Sequence, residues 1–191
     1  MRNSMAFLNV EIKARLTHHN KNIGFGEAKS NTLSFIRNYL LTHNAVFKGV
    51  DAQTDTYFNV PNGRLKLREG NIENNLIWYQ RADQAGPKKS HFTLVKVEDV
   101  KGLKEALTKA NGIKVIVKKK REIYYIQNVK FHIDEVPGLG SFVEIEAGNK
   151  LADLPEEALR KQCDYFLKEF GIGEENLIKV SYSDMLMKKT I

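Results

Sequence analysis

The chain has one cysteine, Cys163, so no internal disulfide can form. That usage suits a reducing, cytoplasmic setting. No apolar run approaches the roughly 18 residues of a membrane helix, so no segment is expected to span a bilayer. The start, MRNSMAFLNVEIK, meets charge before any long apolar core builds up, unlike a signal peptide. The five histidines are scattered, with no HExxH and no Cys/His spacing for zinc. There is no repeat of fixed period and no stretch that looks like a linker.

What is present is ordinary for one globular domain. The 191 residues are 42% apolar and 28% charged, which excludes collagen, low-complexity sequence and wholesale disorder. The whole chain, 1–191, is expected to form a single domain, with 1–6 as a flexible start ahead of the strand pattern. Thirty basic against 23 acidic side chains give a net charge of +7. Such an excess favours an anionic partner: nucleic acid, a membrane surface or a phosphorylated small molecule.

Alternation and spacing supply the elements. Leu8, Val10, Ile12 and Ala14 alternate with Asn9, Glu11, Lys13 and Arg15, a strand with one apolar and one charged face. A Gly-, His- and Asn-bearing loop runs to about Gly26. Leu33, Ile36, Tyr39 and Leu40 predict a helix over about 28–43. Strands are predicted at 46–50, 55–60, 64–68, 76–81 and 91–97, with a turn at Pro61-Asn62-Gly63 and a loop over 83–89 centred on Gly86-Pro87. Val100, Leu103, Ala106, Leu107 and Ala110 give a second amphipathic helix, closed by Asn111-Gly112. Strands follow at 115–125, 129–135 and 142–147, joined by turns near Gln127-Asn128 and at Pro137-Gly138-Leu139-Gly140. A helix begins near Asp153, with Leu159, Cys163, Phe166, Leu167 and Phe170 on its buried face. A short helix, 181–188, ends the chain. About eight hairpin-linked strands with three or four helices imply an α+β fold whose antiparallel sheet closes into a barrel or near-barrel.

The informative feature is charge at period two. Glu11 and Lys13, then Arg64, Lys66 and Arg68, then Arg81, then Lys119 and Arg121, then His132 with Asp134, then Glu144 with Glu146 each project from one side of a strand. A single such strand would read as a wet face. Here the Arg-bearing and carboxylate-bearing strands are segregated. Arginine suits bidentate phosphate contacts, and carboxylates two residues apart suit a hard divalent cation. In a closed barrel these charges line the lumen, which would then suit a polyphosphate with magnesium or manganese. Lys118-Lys119-Lys120-Arg121 lies within a strand, so two members face in and two out, and an exposed nucleic-acid stripe is not expected.

Several ordered pieces resemble one family. Val10-Glu11-Ile12-Lys13-Ala14-Arg15 looks like the ExExK opening strand of CYTH domains, the superfamily of class IV adenylyl cyclases and thiamine triphosphatases. QTDTYFNVPNGRLKLRE at 53–69, AGPKKS at 85–90, HIDEVPGLGSFVEIE at 132–146 and the closing SYSDML at 181–186 resemble its bacterial cyclase-like branch. The resemblance implies an eight-stranded antiparallel tunnel that binds triphosphates with divalent metal. It places Lys13, Lys66, Arg68, Arg81, Lys119 and Arg121 at triphosphate-binding positions, and Arg64 shares their face. It places Glu11, Asp134, Glu144 and Glu146 at metal-binding positions. The first glutamate of ExExK is Asn9 here, which removes one negative charge. Lys66 stands where arginine is common.

The expected activity is that of a metal-dependent adenylate cyclase, turning ATP into cyclic AMP and pyrophosphate. A triphosphatase acting on tripolyphosphate, thiamine triphosphate or a nucleotide would use the same charges, and a non-catalytic triphosphate binder is the third reading. No general base is evident. Family members often pair, so a homodimer is within the expectation.

Overall fold

The computed structural model describes residues 8–16, 31–80, 88–89, 91–149 and 154–189. The expected flexible start, the loop to Gly26, the Gly86-Pro87 turn and Arg81 lie outside them. In chain order the elements are β1 (Asn9–Arg15), α1 (Leu33–Thr42), β2 (Val46–Phe58), β3 (Arg64–Glu69), β4 (Asn75–Gln80), β5 (Lys88–Lys89), β6 (His91–Lys96), α2 (Val100–Asn111), β7 (Ile113–Ile126), β8 (Val129–Val136), β9 (Gly140–Gly148), α3 (Glu156–Glu169) and α4 (Tyr182–Lys189). A single 3-10 turn, Glu174–Asn176, precedes α4.

The strands form one antiparallel sheet in the order β5-β1-β9-β8-β7-β2-β3-β4-β6. Both of its edges belong to one stretch of chain, because only residue 90 parts β5 from β6. The eight long strands therefore curl into a tunnel-like half-barrel. Among the described residues β6 pairs only with β4. The edge of β1 carries β5 at Val10 and Glu11, then the chain near Leu177, where Ile178 N–H donates to the Lys13 carbonyl at 2.8 Å.

Two apolar clusters hold this shape. Outside the tunnel, Val10, Ile12 and Ala14 of β1, Phe131 and Ile133 of β8, and Val143 and Ile145 of β9 pack against Ile36 and Leu40 of α1 and Leu159, Cys163 and Phe166 of α3. Cys163 is fully buried there, as its helical spacing predicts. Thr32 caps α1, accepting from Phe35 N–H at 3.3 Å. Glu156 and Glu157 sit in the first turn of α3, where they suit the helix dipole. The second cluster is on the tunnel face: Tyr57, Val117, Phe142 and Tyr182, flanked by Met185 and Leu186, bring α4 across one end of the lumen.

One expectation is corrected. The strands predicted at 46–50 and 55–60 are a single 13-residue strand, β2. Gly49, at φ +126°, marks a register shift within the first predicted half, but the pairing with β7 then runs unbroken to Tyr57. The halves look separate because the mostly polar stretch Asp51, Ala52, Gln53 and Thr54 carries no apolar alternation.

Candidate functional site

The lumen is lined by all eight long strands. β1 contributes Glu11 and Lys13, β3 Lys66 and Arg68, β7 Lys119 and Arg121, and β9 Glu144 and Glu146. Lys118 and Lys120 point to the exposed side, so the basic run divides two in and two out. Alternation makes this division: in each pair the residues are two apart, so one face of the pleat carries both.

Two charge clusters fill the space. At the centre of the first is Asp55 of β2, only 2% exposed. Its carboxylate accepts from Lys119 Nζ at 2.7 Å, Lys66 Nζ at 2.9 Å and Arg68 Nε at 2.9 Å. Burial pushes this carboxyl up, but Arg68, Lys119 and Lys66 outweigh burial and hold it well below the usual carboxylate range. Burial among Arg68, Arg121 and Lys66 pushes Lys119 down to about 7, against the pull of Asp55.

The second cluster centres on Glu144. It takes Lys13 at 2.8 Å, Arg121 at 2.7 Å and His132 Nδ1 at 3.2 Å. Lys13 also lies 3.7 Å above the Tyr182 ring. Burial, helped by Arg121 and Lys130, lowers His132 to about 3, so its ring is neutral and Nδ1–H is the donor to Glu144. Glu144 itself is held well below the ordinary range, because Lys13 and Arg121 overcome its burial.

Three sequence-derived site residues have other surroundings. Asp134 is fully buried and its carboxylate is taken up by Arg121 Nε at 2.6 Å, a second guanidinium nitrogen and the Tyr182 hydroxyl at 2.8 Å. It holds Arg121 in place from behind. Arg64 is away from the lumen lining and pairs with Asp184 at 3.0 Å beside α4. Arg81 is outside the described residues. In turn, sequence reasoning left out Asp55, Glu73, Lys130 and Tyr182. Glu73 enters from the β3–β4 loop, where buried Asp51 accepts from Ile72 N–H at 2.9 Å and Glu73 N–H at 3.2 Å. Thus anchored, Glu73 bridges Arg68 at 2.9 Å and Lys130 at 3.0 Å. Lys130 lies two before His132 on one strand, so the same alternation could have found it.

The carboxylates suit a hard cation. Glu11 and Glu146 are directly opposite across β1 and β9, where like charges repel unless a cation lies between. Burial raises the Glu146 carboxyl and Glu144 adds to the effect, against Lys130. The Asn9 side-chain amide donates to Glu146, so the residue in place of the family glutamate orients a carboxylate. Among the described residues no three acidic, histidine or cysteine side chains form a complete metal cage. Two carboxylates with substrate oxygens are a usual magnesium arrangement, and this donor set fits that.

The family model described as the CYTH domain matches residues 8–182. This chain belongs to the CYTH family. A Methanocaldococcus jannaschii protein named putative adenylate cyclase is 26% identical over 183 residues, covering 93% of this chain and 98% of that one. A Pyrococcus horikoshii structure superposes with a TM-score of 0.72 at 23% identity, over 92% of this chain and 98% of its own. A Vibrio parahaemolyticus structure titled a putative adenylate cyclase gives 0.71 at 18% identity, over 94% and 98%. At those identities the two structures speak for the fold alone. The CYTH lumen described above is thus set in a shared tunnel architecture. No helix among the described residues is long and apolar enough to cross a membrane.

Proposed function

We propose that this CYTH tunnel binds a triphosphate together with magnesium or manganese, and that its reaction is that of a class IV adenylate cyclase. One observation carries the reading: cations from β1, β3 and β7 and opposed carboxylates from β1 and β9 face a single lumen. Lys13, Lys66, Arg68, Lys119 and Arg121 would take phosphate oxygens in place of Asp55 and Glu144. They would hold the chain of phosphates and neutralise charge gathering on the leaving group. Glu11 and Glu146, with Glu144 beside them, would hold the cation. A bound divalent cation would make a hydroxyl a better nucleophile and draw charge from phosphate oxygens. In the cyclase reaction the ribose 3′-hydroxyl gives its proton to solvent, its oxygen bonds to the α-phosphorus, and the bond from the α-phosphorus to the oxygen bridging to the β-phosphorus breaks, releasing pyrophosphate. Neutral His132, already a donor to Glu144, keeps that carboxylate oriented. The cyclase name of the Methanocaldococcus relative supports this choice of nucleophile.

Product identification tests the reading. The protein is incubated with ATP or tripolyphosphate and either metal, and products are resolved by mass spectrometry beside a Glu144→Ala, Glu146→Ala variant. Cyclic AMP and pyrophosphate, absent with the variant, support the cyclase. Orthophosphate instead moves the chain to the triphosphatase branch, and no turnover of either compound with tripolyphosphate still bound contradicts the cyclase and points to a binding tunnel or to a substrate outside the pair.

A further inference from the structure

His132 of β8 is 3% exposed, and among the described residues it is the only histidine that lines the lumen. Its Nδ1–H donates at 3.2 Å to Glu144, which stands directly across from it on β9. Its other ring nitrogen, Nε2, is buried and makes no hydrogen bond. A buried polar atom without a partner is costly, and such atoms are rare in folded proteins. The nearby donors are committed elsewhere: Lys130 to Glu73 at 3.0 Å, and Arg121 to Asp134 at 2.6 Å and to Glu144 at 2.7 Å. With the proton fixed on Nδ1, Nε2 offers the lumen a lone pair and no hydrogen. Ionised phosphate oxygens also offer only lone pairs, so this nitrogen does not bind them. Its partner is a cation or a hydroxyl.

Two observations favour the cation. A histidine that ligates a metal almost always gives its other N–H to a carboxylate, which fixes the tautomer and aims the ring. The Glu144–His132 pair has that arrangement. The register also sets the ring beside the opposed carboxylates. Lys130 faces Glu146 and His132 faces Glu144, so His132 and Glu146 are diagonal neighbours, a gap that long side chains span. The ring completes no cage in the free protein. It adds one nitrogen donor to the Glu11 and Glu146 carboxylates, and phosphate oxygens would supply the rest.

We infer that His132 Nε2 is a direct ligand of the lumen cation, so that the site mixes nitrogen with oxygen donors and selects a first-row transition ion over magnesium. The inference rests on the metal–triphosphate reading above and narrows its metal. Magnesium takes oxygen ligands and gives up its water reluctantly. Transition ions accept imidazole, with affinity rising along the first row from manganese to copper. Manganese is the weakest binder of that series and so the most stringent probe.

The test is electron spin-echo envelope modulation of manganese bound together with tripolyphosphate. It is recorded on the wild type, on wild type made with histidine labelled with heavy nitrogen, and on His132→Gln. The glutamine amide can still donate to Glu144 but brings no ring nitrogen, and thermal melting in chelator checks that the variant folds. The wild type should show coupling to a directly bonded nitrogen. That coupling should change with the isotope and vanish in the variant. In competition titrations the wild type should prefer manganese to magnesium, and the variant should lose about tenfold or more in manganese affinity while keeping its magnesium affinity. Manganese bound to the wild type without nitrogen coupling overturns the inference, whether or not the variant folds. Coupling that persists in the variant, or equal losses for the two metals, overturns it as well. If neither metal binds the wild type with tripolyphosphate, the metal–triphosphate reading itself fails; metal bound through oxygen alone fails only the histidine ligand.

Discussion

Asp55 Oδ2 accepts a hydrogen bond from Lys119 Nζ at 2.7 Å inside the tunnel, and both side chains are almost wholly removed from water. The same carboxylate also holds Lys66 and Arg68. In the free protein, therefore, an internal anion occupies the centre of the basic cluster.

Removing that anion should weaken the fold and favour external ones. Asp55→Asn leaves three cations facing one another without their shared counter-charge. Breaking a buried pair from one side costs about 3–5 kcal/mol. The variant should melt well below the wild type in buffer without polyphosphate and recover most of the loss when tripolyphosphate is added. Asp55 has a folded-state pKa below its unfolded one, so its contribution is present above the usual carboxylate value, about pH 4, and goes as pH falls towards the folded value. Thermal unfolding between about pH 5 and 7 should thus show the full difference between variant and wild type. An equal melting temperature would mean that Asp55 does not balance the cluster.

Lys119 gives a pH signature to binding. Its ammonium is pushed down to about 7 in the free protein, so by about pH 8 much of it is neutral. A triphosphate placed against it favours the charged form and raises its pKa. Binding at about pH 8 should therefore take up a proton, and at about pH 6 it should not. Calorimetry in buffers of different ionisation enthalpy measures that uptake directly. Lys119→Met should abolish the difference between the two pH values.

Tyr182 ties the last helix to the site. Its hydroxyl donates to Asp134, which in turn holds Arg121, and its ring lies under Lys13. Tyr182→Phe keeps the ring and loses one hydrogen bond, so it should cost about 1–2 kcal/mol in a urea titration. Tyr182→Ala also loses the packing on Phe142 and should cost about 3–5 kcal/mol. Equal losses for the two variants would remove the ring from the account.

Asn9 should set the affinity for metal. Its amide donates to Glu146 opposite Glu11. Asn9→Glu replaces that donor with a further negative charge in the same cluster. The variant should be less stable in chelator and should bind manganese about tenfold tighter, since affinity for hard cations follows the number of charged ligands. Manganese titration followed by electron paramagnetic resonance checks this. Unchanged affinity would put the cation elsewhere.

Much of the tunnel was readable because alternation is a local signal. Val10, Ile12 and Ala14 could be assigned to the core, and Glu11 and Lys13 to the opposite face, from seven residues of β1 alone. The same logic divided Lys118 to Arg121 correctly. It failed for β2, where the mostly polar Asp51, Ala52, Gln53 and Thr54 show no apolar alternation and hide the fact that Asp51, Gln53, Asp55 and Tyr57 share one long strand. Asp55, though inside the predicted strand 55–60, was passed over because its neighbours two residues away, Gln53 and Tyr57, carry no charge. Glu73 and Tyr182 come from a loop and a terminal helix, so no periodicity brings them to the lumen; only the Asp51 anchor and the Phe142 contact do. Arg64 shares the alternation of Lys66 and Arg68 but lies nearer the end covered by α4, where Asp184 takes it. Period two gives the face of a strand and says nothing of depth along the tunnel.

A crystal structure with tripolyphosphate and manganese would show whether triphosphate and metal meet in the lumen, because anomalous scattering locates the metal independently of the phosphates. Phosphate oxygens should lie on Lys66, Arg68, Lys119 and Arg121, with Asp55 no longer the sole anion among them, and manganese should lie at Glu11 and Glu146. Phosphate bound on the outer face, with the Asp55 and Glu144 clusters unchanged in the lumen, would contradict that placement.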